Sequence, residues 1–123
     1  MKTLTQTIFL ILISSWMYGQ EITGEWSGAL EVQGNKIRIV FHVSKSKEQL
    51  EATMDSPDQN AKGIKVTTMN FSYPNVKFEV STTGGFYEGT MLSDKTIIGK
   101  WVQSGTSLFL ALLKSENVPG KDK

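Results

Sequence analysis

Cysteine is missing from all 123 residues. Its absence removes thiolate catalysis, disulfide staples, Cys-x-x-Cys redox chemistry, every cysteine-based zinc or iron-sulfur site and a lipoprotein anchor. Histidine occurs once, as His42, and proline three times. An excess of one charge is missing too: there are 13 basic and 12 acidic residues, and the basic Lys2 falls in a segment expected to be removed. A surface that follows nucleic-acid phosphates needs a basic surplus, so no nucleic-acid partner is expected. No stretch keeps helical periodicity through three turns. What remains is 39% hydrophobic and 20% charged residues with 11 glycines, the composition of one globular domain. Collagen, coiled coil and wholesale disorder are excluded.

The first residues, MKTLTQTIFLILISSWMYGQ, place one lysine before an apolar run from Ile8 to Ile13, then small and polar residues up to Gly19 and Gln20. This is the grammar of an export signal. The run is far shorter than the roughly 18 residues that cross a bilayer, so no membrane attachment is expected once the signal has been cut. Cleavage is expected between Gly19 and Gln20. The expected organisation is a signal peptide over 1–19, a β domain over 20–114 and a polar tail over 115–123, in a protein that is periplasmic or extracellular.

From Ile22 onward the apolar residues take every second position. Ile22, Gly24, Trp26, Gly28, Leu30 and Val32 share one face, and Ile37, Ile39, Phe41 and Val43 resume the alternation after a turn placed at Gly34-Asn35. Period two means strands with one buried face. The pattern continues through Leu50 to Met54, Ile64 to Val66, Val76 to Val80, Phe86 to Leu92, Lys95 to Val102 and Ser107 to Lys114. Turns fall at Ser93-Asp94 and around Gly105, and any helix is expected in loops such as Lys45 to Gln49. The expected fold is therefore all-β, an antiparallel eight-stranded up-and-down meander closing into a small lipocalin-like barrel, because closure removes exposed edges. A two-sheet β-sandwich is the alternative. The inward set, including Trp26, Leu30, Ile39, Phe41, Phe78, Tyr87 and Trp101, is bulky enough to fill a small barrel.

Hydrolytic machinery is the first chemistry to seek in an exported protein. The nucleophile pattern Gly-x-Ser-x-Gly does not occur, and Gly24-Glu25-Trp26-Ser27-Gly28 only approximates it. A serine triad would need His42, which alternation sets on the outer face beside Arg38 with no partner in view. Without a second imidazole His42 cannot anchor a metal site, and Asp55 with Asp58 lacks the acidic spacing of a calcium loop. Gly84-Gly85 precedes a strand rather than a helix, so no phosphate loop forms there. No catalytic residue, cofactor or metal is expected. Alternation also turns Phe86, Ile98, Val102, Phe109, Ala111 and Leu113 outward on the last three strands. So apolar an exposed face marks a docking surface, for self-association or for another domain.

Trp26 and Trp101 each follow a glycine by two, Gly24 and Gly99. A Gly-x-Trp at the start of the first strand resembles the signature of lipocalin-like barrels, in which the indole closes the barrel base and the glycine gives it room. The runs Ile22–Leu30, Ile37–Val43 and Met54-Asp55-Ser56-Pro57-Asp58-Gln59-Asn60-Ala61-Lys62-Gly63-Ile64 resemble a more specific family. It is the amino-terminal β domain that precedes the catalytic domain of secreted bacterial α/β-hydrolases of the serine esterase and aminopeptidase type. Tyr87-Glu88-Gly89-Thr90 and Ile98-Gly99 fit its later strands. The family's nucleophile, acid and histidine belong to the following domain, and no residue here corresponds to them. The resemblance implies a non-catalytic accessory or interaction domain with an α/β-hydrolase as partner. The alternative is a lipocalin-like carrier of a small apolar ligand.

Overall fold

The computed structural model describes residues 22–115. The expected signal segment and the tail after Ser115 lie outside them. Nine strands run in chain order as β1 (Gly24–Val32), β2 (Asn35–Ser46), β3 (Gln49–Ser56), β4 (Ala61–Lys65), β5 (Thr68–Ser72), β6 (Asn75–Val80), β7 (Gly85–Ser93), β8 (Thr96–Gln103) and β9 (Thr106–Lys114). The only helical element among the described residues is a 3-10 turn, Pro57–Gln59. The fold is all-β, as the alternation implies, with nine strands rather than eight.

All nine strands belong to one sheet of order β4-β3-β2-β1-β9-β8-β7-β6-β5, antiparallel throughout. That order is an up-and-down ring opened at a single place, between β4 and β5. The sheet curls so strongly that one short step of chain spans the opening. Val66 N–H donates to the Ala52 carbonyl of β3 at 3.0 Å, and the next residue, Thr67, donates to Glu79 of β6 at 2.7 Å. This single curled sheet, half of a barrel in outline, replaces the sandwich alternative.

The turns differ from expectation in instructive ways. The first lies at Gln33-Gly34, both at positive φ (52° and 85°), with Val32 opposite Asn35; Asn35 is already in β2. Ser104-Gly105 repeats that geometry. Where a helical loop was expected, Lys47 and Glu48 take φ of 52° and 68° and join β2 to β3 directly. All three are the hairpin turn whose twist matches that of the flanking strands.

Inward residues form one continuous core. Trp26, Phe41, Phe78, Val80, Tyr87, Ile97, Leu110 and Leu112 are wholly buried, as the alternation requires. Phe41, Phe78 and Tyr87 meet at the centre with ring centroids 4.5 to 6.1 Å apart. The Tyr87 hydroxyl donates to the Leu110 carbonyl at 2.9 Å, and burial pushes its pKa far above the ordinary phenol value. Among the described residues no buried side-chain nitrogen or oxygen lacks a partner.

Candidate functional site

The two tryptophans sit at opposite ends of the curled sheet. β1 runs from Trp26 at one end to Val32 at the other, and β8, which points the same way, reaches Trp101 at that second end. Trp26 is fully buried, donates its indole N–H to the Ile22 carbonyl at 2.8 Å and lies under the Lys114 ammonium. Gly24, at φ +134°, leaves the room through which the Lys114 side chain passes, since a β-carbon there would stand 2.6 Å from Lys114 Cε. Gly24 and Trp26 thus sit together at the first end with the Lys114 side chain against both, whereas Trp101 lies at the other end. Trp101 packs over Gly85, where a β-carbon would fall 2.6 Å from the indole, while Gly99 lies beneath the Tyr87 ring.

The outward set of β7 to β9 divides by exposure. Phe109 is 67% and Leu113 59% exposed, whereas Phe86, Ile98, Val102 and Ala111 are half-buried. Lys77 of the neighbouring strand lies 4.7 Å over the Phe86 ring. Leu92, 62% exposed, joins the group, and the alternation did not single it out. The register shift between Met91 and Ser93 opens a bulge there. Ile98 faces Ala111 across the β8–β9 ladder, Thr96 faces Leu113 and Lys100 faces Phe109, so these side chains are neighbours on one surface. Beside them Glu88 faces both Lys100 and Lys77 across its ladders.

A second group lies on the outer face of β2 and β3. His42 does have a partner: its Nε2 is 2.8 Å from Asp55 Oδ2, and Asp55 Oδ1 accepts the Gly63 N–H at 2.7 Å. The Gly63 hydrogen bond is the main cause that holds Asp55 below the ordinary carboxylate range, with His42 and Lys62 adding to it against desolvation. Asp58 accepts Arg38 three times, from the backbone N–H at 2.8 Å and the guanidinium at 2.9 and 3.2 Å, which lowers its pKa as well. Ser56, buried, donates to Gln59 at 2.8 Å. An imidazole with an oriented carboxylate can serve as a base. Among the described residues, however, no hydroxyl is hydrogen-bonded to His42, and no group of three potential metal ligands occurs. The arrangement locks the loop between β3 and β4 onto β2.

A third feature is the open end itself. At the end where the β1–β2 and β8–β9 hairpins turn, a cavity of about 400 Å³ is lined by Leu30, Ile37, Trp101 and Leu108, with Gln59, Thr83 and Ser104 beside them. The chain matches no family model, no curated protein and no solved structure. No helix of the described residues is long and apolar enough to cross a membrane.

Proposed function

We propose that this is an exported accessory domain that docks an α/β-hydrolase domain through the outer face of β7 to β9. The observation that carries the reading is the exposure of Phe109 and Leu113 on β9 and of Leu92 on β7, each more than half exposed, with the half-buried Ile98 and Val102 on β8 between the two strands. Solitary exposed leucines need no explanation, but a contiguous apolar group does. Large aromatics are enriched at protein interfaces, where the core of the patch excludes charge. The β7 to β9 face presents such an aromatic in Phe109, with the Lys100 and Glu88 positions interspersed among its apolar side chains. The choice of a hydrolase rests on the resemblance of the Ile22–Leu30, Ile37–Val43 and Met54–Ile64 segments.

The double variant Phe109→Glu with Leu113→Lys tests it, because both side chains already face solvent and the fold does not depend on them. Crosslinking in the exported fraction is expected to join the wild-type protein to a chain carrying a Gly-x-Ser-x-Gly elbow, and the double variant to lose that product with its circular dichroism unchanged. A hydrolase crosslink that survives in the variant would overturn the proposal. So would concentration-dependent dimerisation, abolished by the variant, without a hydrolase product; that result assigns the face to a second copy of this chain.

A further inference from the structure

The open end of the sheet is built differently from the rest of the surface. Its cavity of about 400 Å³ lies within the size range of small-molecule sites. The walls are apolar: Leu30, Ile39, Met54 and Trp101 are buried, while Val32, Ile37 and Leu108 remain half-exposed at the opening. Along β2 the inward residues run Ile37, Ile39, Phe41 from this end toward the centre, and there Phe41 meets Phe78 and Tyr87. The aromatic cluster is a floor, so the cavity does not continue to the base and an occupant must be short.

The rim decides the chemistry of the occupant. It consists of Gln59, Thr83, Gln103, Ser104 and Thr106, with no charged side chain among the lining residues, although charged residues are 20% of the chain. An ionised head group would leave water here without a counter-charge, which is costly. Gln103 adds a direction. The Trp101 indole N–H, which can only donate, gives its hydrogen to Gln103 Oε1 at 2.8 Å. The carboxamide oxygen is thereby engaged, and the NH₂ group of Gln103 is left to donate at the rim.

We infer that this end binds a short, uncharged amphiphile, its apolar body against Ile37, Trp101 and Leu108 and its carbonyl oxygen at the Gln103 amide. The site lies on the inner side of the sheet at its open end, whereas the proposed docking residues face outward from β7 to β9, and it is made of different side chains.

The test is an NMR titration of the protein with octanamide and, separately, with octanoate at neutral pH, two probes of equal chain length that differ in charge. Octanamide is expected to shift the Trp101 indole and the Val32, Ile37 and Leu108 methyl signals saturably, with octanoate about tenfold weaker or more. Gln103→Glu preserves the acceptor for Trp101 while removing the donor, and is expected to weaken octanamide by about tenfold. No saturable shift with octanamide, shifts that map away from the open end, or equal binding of the two probes would each overturn the inference. Unchanged octanamide affinity in Gln103→Glu would overturn the assigned head-group contact.

Discussion

Replacing Gly99 by alanine is a demanding test of the fold, because the space beside this residue is walled by backbone. A β-carbon there would collide with the Glu88 carbonyl oxygen and stand 2.6 Å from Gly89 Cα and 2.8 Å from Tyr87 Cζ. Neither main-chain atom can yield without moving β7, and the Tyr87 ring is anchored by its hydrogen bond to Leu110. Overpacking of this kind costs about 1–3 kcal/mol. If the ring lifts, the buried Leu110 carbonyl loses its donor, worth about 1–3 kcal/mol more. The expected loss is therefore about 2–6 kcal/mol, out of a total stability on the order of 5–15 kcal/mol. Gly105→Ala is the control: it has φ +79° but nothing within 4 Å, so it carries only the strain of left-handed backbone, about 1–2 kcal/mol. Urea unfolding followed by tryptophan emission compares the two. A Gly99→Ala midpoint at or above that of Gly105→Ala would refute the packing assigned to Tyr87, Gly89 and Gly99.

Trp26→Ala is expected to cost about 3–5 kcal/mol by the cavity it leaves at the base, while His42→Ala, whose side chain is 43% exposed, costs under about 1 kcal/mol; equal unfolding midpoints would contradict the assignment of faces. Acid should destabilise the protein through Asp55 and Asp58, whose folded pKa values are both lowered. The unfolded chain binds their protons at higher pH than the folded chain does. Their stabilisation is therefore complete above the ordinary carboxylate value and is lost as pH falls below about 4 through the folded values. Asp55→Asn should lower the melting temperature at neutral pH and flatten its decline in acid. An unchanged acid slope would count against the Asp55 contacts.

Strand alternation carried most of the fold because each buried face repeats every second residue, and Trp26, Leu30, Ile39, Phe41, Phe78 and Leu110 all obey it. β5 escaped the reading because it offers only Met69 and Phe71, both half-buried, on an edge strand of five residues. The partner of His42 was hidden by a turn. Lys47-Glu48 lacks the glycine that normally marks two residues at positive φ, so the hairpin and its register went unread. Counting back from that turn sets His42 opposite Thr53 and Val40 opposite Asp55, and the outward His42 and Asp55 are then diagonal neighbours. The Gly99-Trp101 pairing was misleading for a related reason. Spacing along one strand says which residues share a face, but the room beside a glycine is occupied from the next strand, here by Tyr87, whose Gly89 neighbour faces Gly99.

The segment Asp55–Gly63, the most distinctive in the sequence, is accounted for almost residue by residue by the fold. Asp55 secures His42 and the Gly63 N–H, buried Ser56 meets Gln59, Pro57 opens the 3-10 turn, Asp58 clamps Arg38, and Asn60 takes the left-handed conformation at φ 58° that ends it. A segment so fully used internally has little left with which to bind a partner, so its distinctiveness reports architecture. Function is better sought where the fold is indifferent to residue type. The 67% exposed phenyl ring of Phe109 and the leucine side chains of Leu92 and Leu113 stabilise nothing that smaller polar residues could not. Likewise, a hairpin end needs no apolar wall at Ile37 and Leu108 left half-open beneath an uncharged rim. These two places, one outside the sheet and one at its open end, carry side chains that contact with another molecule would explain and folding does not.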